Sequence, residues 1–219
     1  MKFEQLHDWD LTPAEARALQ TELAQRLEDR PLALEDLRWV AGVDVSVRDE
    51  ISQAAVVVLS FPALEVVETV TARRSVSYPY IPGLLSFREG PVLLDAFAEL
   101  RQTPDVLLFD GMGRIHPRRL GIAAHMGLWL ELPTLGIGKK HFLGDYAPPG
   151  LAQGERSDLT YKGERLGVVL RTRARVKPVY VSAGHLLDLE TAVALALACS
   201  TRYRLPEPIR QAHQAAGRG

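Results

Sequence analysis

The chain has 219 residues, 47% of them hydrophobic and 24% charged, with 26 Lys and Arg against 27 Asp and Glu. A chain of this length buries roughly two thirds to three quarters of its unfolded surface, which suits one globular domain without disulfides or a structural metal. The lone Cys199 excludes an intramolecular disulfide and implies a reducing, cytoplasmic setting; no apolar run nears the roughly 18 residues of a membrane span, and MKFEQLHDWD lacks a signal-peptide core.

Thr12-Pro13-Ala14-Glu15 reads as a capping box with proline at the first helical position, and predicts a helix over 13–28 whose apolar Ala16, Leu19, Leu23 and Leu27 share one face. Strand-like runs at 39–47, 54–60 and 64–73 are joined by links short enough for hairpins, so an antiparallel meander is expected. After the proline-rich Tyr78-Pro79-Tyr80-Ile81-Pro82-Gly83, Ser86 is expected to cap a helix reaching Leu100, with Glu89 at its third position. A buried strand ending on Asp110, a helix over 120–130 and a strand over 134–137 follow. The Gly-, Pro- and charge-rich residues 144–164 read as a surface excursion. Strands at 166–172 and 178–183, a last helix over 190–199 capped by Asp188, and a polar tail over 203–219 complete the chain. The order predicts an α/β fold: one domain over 1–219, with a mixed α+β sheet, the first three strands antiparallel, the first and fourth central and helices on both faces. Residues 1–36 would form a helical segment packed on it.

The charge is unevenly spread. Residues 1–36 hold nine acids and four bases, leaving 22 bases against 18 acids in the remainder. The bases cluster at Arg114 to Arg119, Lys139-Lys140-His141, Arg171 to Lys177, and Arg202 with Arg204. Such runs form either solvated faces or phosphate contacts, and Arg171, Arg173 and Arg175 could be the wet side of a strand.

Asp44 lies inside the apolar run Val40–Val47, where a carboxylate is costly unless paired or coordinated. Asp110 closes Val106-Leu107-Leu108-Phe109 just before Gly111, the kind of strand end at which α/β sheets place ligands. If the first and fourth strands are neighbours, the two acids meet. Their repulsion is resolved by a divalent cation, for which oxygen ligands favour Mg²⁺ or Mn²⁺. Glu89 offers a third carboxylate, though an acid in a first helical turn needs no such role. Lys139 and Lys140 follow a strand at the same edge and could stabilise charge on a phosphate. His213, in a polar stretch, reads as a surface residue. The stiff loop carrying Tyr80 and Ile81 is either a packed surface connection or a wedge inserted between bases.

Six segments in series, Ala41-Gly42-Val43-Asp44-Val45, Pro79 to Glu89, Phe109 to Gly113, His116 to Gly121, Gly136 to Lys140 and Tyr203 to Arg210, resemble the endonuclease V family, the deoxyinosine 3′ endonucleases, over roughly residues 39–213. The resemblance implies a ribonuclease H-like fold, which the strand order also fits. It implies a Mg²⁺-dependent nuclease, with Mn²⁺ able to substitute, that nicks DNA at the second phosphodiester bond 3′ to hypoxanthine and leaves 3′-hydroxyl and 5′-phosphate ends. By position, Asp44 and Asp110 resemble the metal ligands, Glu89 the third catalytic acid, and Lys139 the phosphate-contacting base. His213 falls where relatives carry His or Asp, a further ligand candidate. Tyr80, with Ile81 and Pro82, resembles the wedge. Gly83, Leu85, Gly111, Gly121 and Ile122 resemble the pocket for the extruded base. His116, Arg118, Arg119 and Lys140 would hold flanking phosphates. Alternative substrates are inosine-containing RNA or branched DNA, and a non-cleaving binder of deaminated bases is the non-enzymatic reading. Neither a membrane nor an obligate protein partner is expected.

Overall fold

The computed structural model describes residues 1–217. Its first three strands, β1 (Trp39–Arg48), β2 (Ile51–Ser60) and β3 (Val66–Ser75), form the expected meander. Asp49 and Glu50, both at positive φ, make the two-residue turn between β1 and β2, the geometry that matches strand twist. Helix α1 (Pro13–Leu23) starts on the predicted capping box and runs on into a single 3₁₀ turn at Ala24–Arg26. It is the one α-helix in residues 1–36.

Helix α2 (Leu85–Glu99) corrects one expectation. Its N-cap is Leu84 without a side-chain hydrogen bond, and Ser86 is the second helical residue. The Ser86 hydroxyl is instead engaged by His125, so a tertiary partner has taken the group that local propensity assigned to a cap. Glu89 consequently falls in the second turn, beyond the exposed amides that favour an acid at a helix start.

Strand β4 (Val106–Phe109) lies parallel to β1, and β5 (Thr134–Gly138) parallel to β4, with α3 (Ile122–Leu130) between them in sequence. The excursion at 144–164 contains a strand that its polarity conceals. β6 (Arg156–Tyr161) buries only Leu159 and pairs with β7 (Glu164–Leu170) through a turn in which Lys162 and Gly163 both have positive φ. Residues 171–175 are not strand, contrary to the alternating pattern of their arginines. β8 (Val179–Ala183), α4 (Leu189–Ala198) and α5 (Glu207–Ala216) follow. Asp188 caps α4 by accepting from the Thr191 amide at 2.7 Å. The predicted tail is therefore largely helix α5; its last two residues, 218 and 219, lie outside the described residues.

The eight strands form one mixed sheet in the order β3-β2-β1-β4-β5-β8-β7-β6, with β4 and β5 at its middle and β1 flanking β4 in the interior. Alternation along the strands divides the core. Val40, Val106 and Leu108 pack with α4 and α5 on one face, while Ala41, Val43, Leu107 and Phe109 pack with α2 and α3 on the other. Helix α1 lies outside α3, its Leu23 packed with Leu120, Ala124 and Leu128. No helix among the described residues is long and apolar enough to cross a membrane.

Candidate active site

The register of β1 and β4 assembles the first part of the site. Val43 is paired with Phe109, and the Asp110 amide donates to the Val43 carbonyl at 2.9 Å. The next residues along, Asp44 and Asp110, are thus side by side where β4 ends. On the pleat, both share the face of Val40 and Gly42, the one covered by α5. Gly42 permits that cover: a Cβ there would overlap the Pro208 carbonyl. The far end of α5 is held by Ser46, whose hydroxyl donates to the Ala216 carbonyl at 2.6 Å, and by Gln53, whose amide donates to Ala215 at 3.1 Å. His213 is thereby brought to the acids, its Nδ1 2.7 Å from Asp44 Oδ2 and 4.0 Å from Asp110 Oδ2.

Ligand atoms of Asp44, Asp110 and His213 all lie within 4.8 Å of one another, a donor set of oxygens and one imidazole that fits a small divalent cation. Burial and the adjacent Asp110 push the Asp44 carboxyl above its ordinary range, with His213 and Lys139 opposing them. Glu89 is pushed up to about 8, first by burial and then by the charge of Asp44. Both carboxyls are raised in part by the neighbouring acids, and that crowding is the condition that a bound cation relieves. Lys139, just beyond the end of β5, forms an ion pair with Asp110. Arg204 fixes its backbone, donating from Nη2 to the Lys139 carbonyl at 2.6 Å and to Pro178 at 2.7 Å.

Beside the acids a cavity of about 470 Å³ opens at the same edge of the sheet. Tyr80, Ile81, Pro82, Gly83 and Leu85 form one wall, Gly111, Gly121 and Ile122 another, with Lys139 and Lys140 at the rim. Asp110 belongs to the lining, whereas Asp44, Glu89 and His213 lie beyond it. Glycines bring backbone close to this space. A Cβ on Gly121 would overlap the Met112 carbonyl, and one on Gly111 would press on Ile122. Gly83 has φ of +81°, and its carbonyl accepts from Arg118 Nη2 at 2.9 Å and contacts His116 Nε2 at 3.0 Å. Tyr80 projects from the loop, 69% exposed, while its neighbour Tyr78 is buried and its carbonyl is held by Arg88.

His116, Arg118 and Arg119 are engaged within the protein. His116 is buried against Gly83 and pulled down to about 4 by that burial, so it is neutral at physiological pH. Arg118 is engaged by Gln20 and Gly83, and Arg119 by Glu164. Arg171 is buried and donates to the carbonyls of Gly150, Pro149 and Val176. Of the four residues expected to hold phosphates, only Lys140 is an exposed cation at the cavity rim. Sequence reasoning also overlooked several cavity residues. Phe142 is exposed and stacks on His116 at 6.2 Å, and Gln20 and Ser86 also belong to the lining. Phe142 was discoverable as an aromatic directly after the Lys139-Lys140-His141 cluster; the local signal at Ser86 was that of a helix cap, and Gln20 gave none.

Residues 21–214 match the family model described as Endonuclease V. The chain belongs to the Endonuclease V family. It is 45% identical over 218 residues to the Endonuclease V of Nostoc punctiforme, covering 99% of both chains. The Endonuclease V structure from Streptomyces avermitilis superposes with a TM-score of 0.92 at 43% identity, over 96% of this chain and 93% of that one. The Ciona intestinalis Endonuclease V, solved in complex with a 24mer DNA containing an inosine followed by a ribo-adenosine, superposes with a TM-score of 0.79 at 30% identity, over 93% of this chain and 95% of that one. The fold is accordingly the ribonuclease H-like fold that Endonuclease V structures share.

Proposed function

We propose that this protein is a Mg²⁺-dependent endonuclease that extrudes a deaminated base, chiefly hypoxanthine, and hydrolyses the second phosphodiester bond 3′ to it, leaving 3′-hydroxyl and 5′-phosphate ends. The observation that carries the reading is adjacency: one cavity lined by close backbone, a projecting aromatic at its mouth, and a cluster of carboxylates that meets its lining at Asp110. An extruded purine would enter between Gly83, Leu85, Gly111, Gly121 and Ile122, where the main chain can reach its edge. Tyr80 would fill the vacated stack, flanked by Ile81 and Pro82. Asp110 sits at the edge of the pocket wall and Asp44, Glu89 and His213 lie beyond it, so a strand whose lesion is held there offers a bond further along to them. That separation supports cutting displaced from the lesion.

Asp44 and Asp110 would hold the cation, with His213 and Glu89 as further ligands; such an ion, Mg²⁺ or Mn²⁺, lowers the pKa of a bound water and stabilises the leaving oxygen. Lys139, aimed at Asp110, would shift to the scissile phosphate as charge builds on it. Lys140 would contact a flanking phosphate. A cytoplasmic DNA-repair role follows from this reading.

Inosine-containing RNA is a second reading, favoured by the ribo-adenosine that follows inosine in the 24mer DNA in complex with the Ciona relative. Incubation with Mg²⁺ and end-labelled strands carrying a single deoxyinosine, a single inosine within RNA, or neither, separates the two. The expected product is a nick at the second bond 3′ to deoxyinosine. Cutting confined to the RNA strand overturns the DNA assignment, and an intact deoxyinosine duplex with no cut RNA overturns the nuclease.

A further inference from the structure

A buried chain of hydrogen bonds runs from the amino-terminal segment to the cavity wall. His7 Nδ1 lies 2.8 Å from the Asp8 carbonyl, and its Nε2 faces both Trp129 Nε1 at 3.2 Å and His125 Nε2 at 2.7 Å. His125 Nδ1 lies 2.8 Å from the Ser86 hydroxyl, and Ser86 lines the cavity. The proton positions follow from the partners. A carbonyl only accepts, so His7 Nδ1 carries hydrogen; an indole N–H only donates, so His7 Nε2 is a lone pair. His125 Nε2 must then be the donor between the two rings. His125 is fully buried on α3, and burial holds its pKa well below the ordinary value, so it is neutral and its Nδ1 accepts. The Ser86 proton is thus committed to His125. What remains on the hydroxyl of this lining residue is a pair of oxygen lone pairs.

We infer that Ser86 Oγ is a fixed hydrogen-bond acceptor in the cavity, set by the His7–His125 pair, and that it selects bases bearing a ring N–H of the lactam type. This rests on the cavity being the base pocket. Hypoxanthine carries such a hydrogen at N1, whereas adenine presents a lone pair there and would face Ser86 lone pair to lone pair. A rotatable hydroxyl would serve either base, because it can donate as readily as accept; the relay removes that freedom. The rings that impose it are locked in place, with Trp9 stacked on Trp129 at 5.2 Å and His7 packed edge-on against both. Ser86 is a specificity residue on this account, and His125 and His7 are positioning residues.

Two measurements test it. The first is kcat/KM for duplexes containing deoxyinosine or deoxynebularine, a purine with no hydrogen at N1, in wild type, Ser86→Ala and His125→Phe. Loss of one neutral hydrogen bond predicts that the preference for deoxyinosine falls by about three- to tenfold in both variants. An unchanged ratio in Ser86→Ala overturns the inference, and an unchanged ratio in His125→Phe alone overturns the relay. A wild type that cuts neither duplex refutes the proposed function instead. The second measurement needs no variant: long-range ¹H–¹⁵N correlation of the wild-type imidazoles should find His125 protonated at Nε2 and His7 at Nδ1. Protonation of His125 at Nδ1 contradicts the inference outright.

Discussion

Tyr80 and His116 both line the cavity and should respond to substitution in opposite ways. Tyr80 is 69% exposed, so Tyr80→Ala is expected to change unfolding free energy by under about 0.5 kcal/mol while weakening the preference for deoxyinosine-containing over undamaged duplex. Equilibrium binding to both duplexes, beside a denaturant titration, checks both halves; unchanged preference removes the wedge. His116 should instead show itself in stability. Its folded pKa of about 4 lies below the unfolded value of 6.5, so the unfolded chain binds more protons between these values, and stability falls as pH drops from 6.5 toward 4. Between pH 7 and pH 5 the loss is about 2 kcal/mol. His116→Gln can keep the contact to Gly83 without titrating, so the stability gap between wild type and this variant should shrink on acidification; parallel pH profiles would show that His116 is not held neutral.

At the scale of elements, what could be read from the chain and what could not divides along physical lines. The meander, β4, β5 and α4 were legible because each carries a strong local signal: continuous apolar runs, short turns, or a capping aspartate. The acids were legible for the complementary reason, a charge standing in an apolar strand. β6 was hidden because an edge strand with one buried residue looks like loop. α5 was hidden because its buried residues are Pro208, Ile209, Ala212 and Ala216, mostly too small to mark an apolar face. Yet α5 delivers His213, and its closeness to the sheet depends on Gly42. Gly42→Ala is expected to lower unfolding free energy by about 1–3 kcal/mol and to reduce cleavage along with it, since displacing α5 withdraws His213 from Asp44. Thermal melting that matches wild type would mean that the helix does not bear on Gly42. The cavity was legible only in fragments: its glycines fall in motifs, Ser86 stands inside one of them with its hydroxyl read as a cap, and Gln20 and Phe142 join from outside the motifs.

Over the whole molecule, charge serves the interior as much as the surface. The sum of -1 combines an acidic amino-terminal segment, site carboxylates whose balance would come with a cation, and arginines of which several are occupied by the protein's own backbone. Arg171, Arg173 and Arg204 donate to main-chain carbonyls, tying together the loops that follow β7 and α4. Arg171→Ala should therefore act on stability, lowering unfolding free energy by about 2 kcal/mol, with DNA affinity at low temperature left as in wild type; weaker binding without a change in melting would reassign Arg171 to the nucleic-acid surface. The central claim, that Asp44 and Asp110 are the cation-holding centre of a nuclease acting on deaminated DNA, is tested most directly by nicking of a deoxyinosine duplex in Mg²⁺ by wild type, Asp44→Ala and Asp110→Ala. The account predicts cutting by wild type, its loss on chelation of the metal, and at least about a hundredfold loss in each variant; full activity in both variants, or cutting that survives chelation, would contradict it.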